Sequence, residues 1–174
     1  VDCVIAGQSI TADRMQQVDF TEPYFYATIV TLTKSDSQYA SAASVADLSG
    51  ATATSQMNTI WYNNCLPQIP DANILPAQAD APAMLVALNS GTCDIVVTDK
   101  PTGLAACVAY PDFTMLDFTG TGRSYQRCTL YGGSGSSYAS ILETEPNRLL
   151  VIYDESDFGS WRNPALFSRI VAMT

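Results

Sequence analysis

The chain contains no histidine. That absence excludes the Ser-His-Asp and Cys-His nucleophilic machines, His-ligated zinc sites and any imidazole acid/base step. Positive charge is scarce: eight Lys and Arg stand against seventeen Asp and Glu, a net charge of −9. This is the wrong sign for a phosphate backbone and argues against a nucleic-acid partner. Charged residues are only 14% of the chain and hydrophobic ones 47%, the reverse of a disordered composition. No window holds 18 uninterrupted apolar residues, so no membrane span is encoded. No C-x-x-C pair occurs, which removes zinc ribbons and thioredoxin-type redox sites. Five cysteines stand at 3, 65, 93, 107 and 128. An odd count leaves at least one thiol without an intrachain partner. The others are open to two readings: buried free thiols, or a bridge among Cys65, Cys93 and Cys107 in an oxidising compartment.

What is present is a chain of 174 residues, enough for one ordinary domain or two small lobes. It opens directly on Val1–Gly7, which reads as a buried strand, with no initiator Met and no basic or signal-type leader. A fragment or processed chain beginning inside a domain is the expectation. Acidity is uneven. Twelve of the seventeen acidic residues and three of the eight basic ones precede residue 123, and residues 123–174 hold five of each. A composition boundary is placed at Gly120-Thr121-Gly122.

Between residues 40 and 120 the pattern alternates. Val45–Gly50 reads as a short helix closed by its glycine, Ala51–Thr54 as a strand, and Thr59–Leu66 as a helix stopping before Pro67. Ala72–Leu75 is a strand, and Asp80–Leu88 a helix with Ala83, Leu85, Val86 and Leu88 apolar and Gly91 beyond its end. Cys93–Asp99 has the continuous apolar centre of a strand buried on both faces. Pro101 opens a helix to about Val108, and Phe113–Phe118 is a strand. This rhythm predicts an α/β fold, a parallel-rich sheet covered by helices. Ligands of such sheets sit at the carboxyl ends of the strands, and Asp99 stands at one. Gly132–Ser137 reads as a turn cluster; it lacks the lysine of a phosphate-binding loop.

The most informative stretch is residues 4–26, VIAGQSITADRMQQVDFTEPYFY. A strand runs into Gly7, then Ser9-Ile10-Thr11, Arg14, Val18-Asp19-Phe20-Thr21 and Pro23-Tyr24-Phe25. Ser9 and Thr11 stand where N-cap residues belong, and a turn of this kind offers backbone N–H groups to an anion. Arg14 lies one helical turn past Thr11, so its guanidinium can return to the same mouth, and its planar fork suits a carboxylate. Asp99 offers a carboxylate fit for an ammonium group. Asn58, Thr59 and Ile60 begin a helix whose N–H groups can complete a carboxylate cage. Each residue also has a plainer reading. Arg14 can pair with Asp13 or Asp19, Asp99 can cap the helix at Pro101, Ser9 can act as a cap alone, and Tyr24, Phe25, Tyr26 and Trp61 can be packing residues.

This stretch resembles the signature of the type II periplasmic solute-binding proteins, in the amino-acid-binding family. Asp47-Leu48-Ser49-Gly50 is similar to that family's D-L-x-G segment, Gln56 with Asn58-Thr59 to its Q/K-x-G-T turn, and Cys93–Asp99 to its D-A-V-x-x-D strand. Where the family has Gly-Thr, this chain has Asn58-Thr59. The resemblance runs over about residues 1–120 and implies a type II periplasmic-binding-protein-like fold, truncated at the N-terminus. Its second lobe is nearly complete and its first partial. Residues 1–27 are then the end of the first lobe, 28–33 the hinge strand, 34–120 the second lobe and 121–174 an atypical return segment. The function implied is the substrate-binding component of an ABC importer, extracytoplasmic, which captures a polar amino acid or similar small solute between lobes and hands it to the permease. The implied ligand set is Gly7, Ser9, Arg14, Gln56, Asn58, Thr59, Ile60 and Asp99, with no cofactor, no metal and no catalytic residue. Two alternatives remain on the same scaffold: the ligand-binding domain of a sensor or receptor, and a dehydratase using Asp99 or Glu22.

Overall fold

The computed structural model describes Val4, residues 7–21, Pro23 and residues 25–119 and 124–125, and four further segments as backbone strands: Gly135–Ala139, Ile141–Glu145, Arg148–Val151 and Ala172–Met173. The expectations on Cys3, Glu22, Tyr24, Gly120-Thr121-Gly122 and Cys128 lie outside the described residues. The chain divides into two compact units: Val1–Tyr26 with Thr129–Gly132 and Ser136–Thr174, and Ala27–Cys128 with Gly133–Gly135.

In the first unit, β1 (Gln8–Ser9) precedes the one-turn helix α1 (Ala12–Met15). Of the strand expected over residues 1–7 only Val4 and Gly7 are described; neither lies in a strand, and Val4 is half exposed. Ile10, at 1% exposure, is the apolar anchor here. β1 pairs antiparallel with β7 (Gly135–Ala139), Gln8 opposite Ala139 and Ser9 opposite Tyr138. Part of the Gly/Ser cluster expected as a turn is therefore strand. β8 (Ile141–Glu145), β9 (Arg148–Val151) and β10 (Ala172–Met173) form an antiparallel sheet.

The second unit is a helix-covered sheet. Its strands are β2 (Phe25–Lys34, from Ala27 onward), β3 (Thr52–Thr54), β4 (Asn73–Ile74), β5 (Ile95–Asp99) and β6 (Phe113–Leu116). β3 pairs parallel with both β4 and β5. β5 and β6 each run antiparallel to β2, so they share a direction with β3 and β4. The sheet is mixed but parallel-rich: among these strands only β2 is reversed. The two covering helices are α2 (Ala81–Asn89) and α3 (Lys100–Ala109).

Period-2 alternation along β5 builds a core on each face. Ile95 and Val97 join Val45, Leu48, Ile60, Leu66, Ile69 and Phe118 on one side. Val96 joins Leu32, Met84, Leu88 and Ala106 under α2 and α3 on the other. All five residues of β5 are buried, as its unbroken apolar run predicts; each aliphatic side chain there contributes roughly 1.5–3 kcal/mol. The inward face of α2 is Met84, Ala87 and Leu88, an i, i+3, i+4 set, whereas Val86 faces out at 57% exposure. The helix expected over 59–66 runs on past Pro67. Trp61–Cys65 is wound as a π-helix, and Leu66–Gln68 follows as a 3-10 turn. Pro67 stands in the first turn of that segment, where a missing N–H breaks no bond. Tyr125, beyond the composition boundary, is 2% exposed and its hydroxyl lies 2.6 Å from that of Thr31.

Candidate functional site

The N-terminal motif folds on itself. Gly7 has φ +61°, in the left-handed region where glycine carries no Cβ penalty. Thr11, not Ser9, caps α1, its hydroxyl accepting from the Arg14 N–H at 3.3 Å. Ser9 is buried, and its carbonyl accepts from Arg14 Nη1 at 2.8 Å. The guanidinium therefore does turn back over the Ser9–Thr11 segment. It is half buried, and burial lowers its pKa. A guanidinium has five N–H donors in a fork, and the Ser9 bond uses one of them.

In the second unit β3, β4 and β5 point the same way, so their carboxyl ends share one edge of the sheet. Asp99 ends β5. It is 8% exposed and caps α3, its Oδ1 accepting from the Thr102 N–H at 2.9 Å. The capping reading of Asp99 is thus realised.

The turn after β3 holds Gln56, Asn58, Thr59 and Ile60. Asn58 has φ +59°, so it adopts the conformation a glycine would take there; Asn tolerates it better than other L-residues. Thr59 Oγ1 donates to the Gln56 carbonyl at 2.7 Å and accepts from the Tyr62 N–H at 3.3 Å, capping the helix that follows. The Ile60 side chain is core, at 3% exposure, so only its backbone N–H is available to a site. First-turn N–H groups have no acceptor inside their own helix, which leaves Ile60 and Trp61 as donors at this edge.

The turn after β4 supplies a residue the motif reading passed over. Gln56 and Gln78 form a parallel bridge, with Met57 N donating to the Gln78 carbonyl at 2.8 Å and Gln78 N donating to the Ser55 carbonyl at 2.9 Å. Its signal in the sequence is a lone polar side chain in Leu75-Pro76-Ala77-Gln78-Ala79, between a strand and a helix.

Around this edge, Lys100 Nζ lies 2.9 Å from Asp117 Oδ2. Burial pushes the Asp117 carboxyl up, but hydrogen bonds from Thr119 and Lys100 outweigh it, and the group titrates below its ordinary value. Cys65, Cys93 and Cys107 form no disulfide with one another. Burial, and then the charge of Asp94, pushes Cys93 up to about 12. Among the described residues no group of three or more Cys, Asp or Glu could hold a metal ion. No described helix is long and apolar enough to cross a membrane.

The model of the bacterial extracellular solute-binding proteins, family 3, matches residues 1–97. The chain belongs to that family. This family 3 chain is 31% identical over 120 residues to the glutamine-binding protein of Geobacillus stearothermophilus, an alignment covering 68% of this chain and 44% of that protein. Among solved structures, the substrate-binding protein of an amino acid ABC transporter superposes with a TM-score of 0.66 at 23% identity, covering 84% of this chain and 59% of that one. The arginine-bound form of truncated ArgBP from T. maritima gives 0.65 at 24% identity, covering 84% and 61%. These likenesses establish the type II binding-protein fold. The chain spans under two thirds of the length of these relatives.

Proposed function

We propose that this chain acts as the substrate-binding component of an amino-acid ABC importer. It would work outside the cytoplasm, hold a polar amino acid between two lobes and pass it unchanged to the membrane permease. Family membership supports the role, and relatives described as glutamine- and arginine-binding support the ligand class. The observation that carries the reading is Arg14, folded back over the Ser9–Thr11 turn by its bond to the Ser9 carbonyl. Partial burial strengthens what such a guanidinium gains from a carboxylate partner. In this reading Arg14, with Gly7 and Ser9, takes the ligand's α-carboxylate. From the second unit, the N–H groups of Asn58, Thr59 and Ile60 with Gln56 are further ligand-binding groups, and Asp99 takes the α-ammonium. Capture needs no bond to form or break, and no turnover is expected.

A charged hydrogen bond contributes roughly 1.5–3 kcal/mol. In a complete version of the protein, Arg14→Ala therefore weakens arginine or glutamine binding by about 10- to 150-fold in isothermal titration. Unchanged affinity for both would remove Arg14 from the site and the reading with it.

A further inference from the structure

The three strands of the binding edge end in three turns. Two of them, after β3 and β5, carry residues already placed in the site. The third, Leu75–Asp80, has two polar side chains. Asp80 is taken by the cap of α2, its Oδ1 accepting from the Ala83 N–H at 2.8 Å. Gln78 is held differently. Its backbone is bonded on both sides into the turn after β3, to Ser55 and Met57. Its Nε2 donates to the Pro76 carbonyl at 3.1 Å, and the same carbonyl accepts from the Thr54 hydroxyl at 2.9 Å. Because a carbonyl can only accept, the nitrogen end of the amide must face Pro76. The orientation of the carboxamide is thus fixed by chemistry, with Oε1 as the remaining strong acceptor. The residue is half-buried, between the last residue of β3 and the Gln56 turn.

The geometry points to Gln78 as a specificity-determining residue whose Oε1 accepts a hydrogen bond from a donor-bearing side-chain end of the ligand. This rests on the amino-acid-binding reading above and deepens it. An acceptor anchored through its own amide nitrogen favours a guanidinium, ammonium or carboxamide terminus. It disfavours a carboxylate one, whose oxygens would meet it lone pair to lone pair. The selected class is therefore amino acids with a cationic or amide side chain, and glutamate is discriminated against.

The test is isothermal titration of the full-length gene product and its Gln78→Leu and Gln78→Glu variants with arginine, glutamine and glutamate. Gln78→Leu is expected to weaken arginine by about 10- to 150-fold and glutamine by about 2- to 10-fold. Gln78→Glu is expected to tighten arginine relative to glutamine by at least about 5-fold, because the acceptor becomes charged. Should Gln78→Leu fail to fold, the Gln78→Glu ratio decides by itself. Wild-type binding that Arg14→Ala weakens, while neither Gln78 variant shifts the arginine-to-glutamine ratio beyond 2-fold, overturns this proposal and leaves the broader function standing. Absence of any amino-acid binding by the wild type overturns both.

Discussion

Asn58 shows how one backbone angle shapes a turn. A β-branched side chain at its φ of +59° sets Cβ against the following carbonyl, at a cost of about 1–2 kcal/mol. Asn58→Val is expected to lower stability by that amount, while Asn58→Gly stays close to the parent, both read from urea midpoints. If Val were as stable as Gly, the left-handed turn would not form. Asp99 illustrates a second point at this scale. Its side chain both ends β5 and caps α3, so a single carboxylate has a structural role whether or not a ligand uses it. The sequence made both roles visible because Asp99 stands between an apolar run and Pro101. It could not show which carboxylate oxygen the cap takes, since that depends on the angle at which α3 leaves β5.

Among the elements, α3 lies closest to the sheet at Gly103. A Cβ built there would meet Val30 Cγ2 at 2.9 Å and Met115 Sδ at 3.0 Å. Ala in place of Gly in a helix interior normally gains about 1 kcal/mol, and overpacking a rigid core costs about 1–3 kcal/mol. Val30 is fully buried in β2 and has one stiff torsion, so the cost wins. Gly103→Ala is expected to destabilise by up to about 2 kcal/mol in thermal or urea denaturation; a stabilised variant would mean α3 can lift from the sheet. Propensity alone predicts the opposite sign, because the obstacle comes from side chains of two strands, Val30 of the distant β2 and Met115 of β6. The same limit explains α2. Its existence was legible, but the Asp80 cap and an inward face on Met84, Ala87 and Leu88 came from the structure. The short apolar run Met84–Leu88 is compatible with more than one face until the sheet chooses.

At the scale of the whole molecule, the buried thiols report on the fold. Cys93 is held neutral up to about pH 12 in the folded chain, whereas an unfolded thiol ionises near 8.5. The sign follows: a folded pKa above the unfolded one gives stability that is complete below pH 8.5 and lost as pH rises toward 12. Wild-type protein is therefore expected to lose more stability between pH 8 and pH 10.5 than Cys93→Ala, by urea denaturation at each pH. Equal slopes would mean the thiol is ionised in the native state. In the native protein at pH 7.5 a maleimide should react with the half-exposed Cys107 well before Cys93; equal rates would contradict the burial of Cys93.

Local chemistry settled much of this protein in advance. Apolar runs, caps and glycines located β5, α2, α3 and the short helix at Val45, because each depends on residues within one or two turns of chain. The motif from Gly7 to Arg14 and the residue types at Asn58, Thr59 and Asp99 were equally local, and so were readable. Tertiary structure alone decided what depends on distant partners. It inserted the reversed β2 between β5 and β6 and carried the helix past Pro67. It set Tyr125 against Thr31 and brought Gln78 to Gln56 through the pairing of separate turns. Hydrogen bonds between strands far apart in sequence leave no periodicity to read, and their energy exists only once the sheet has formed.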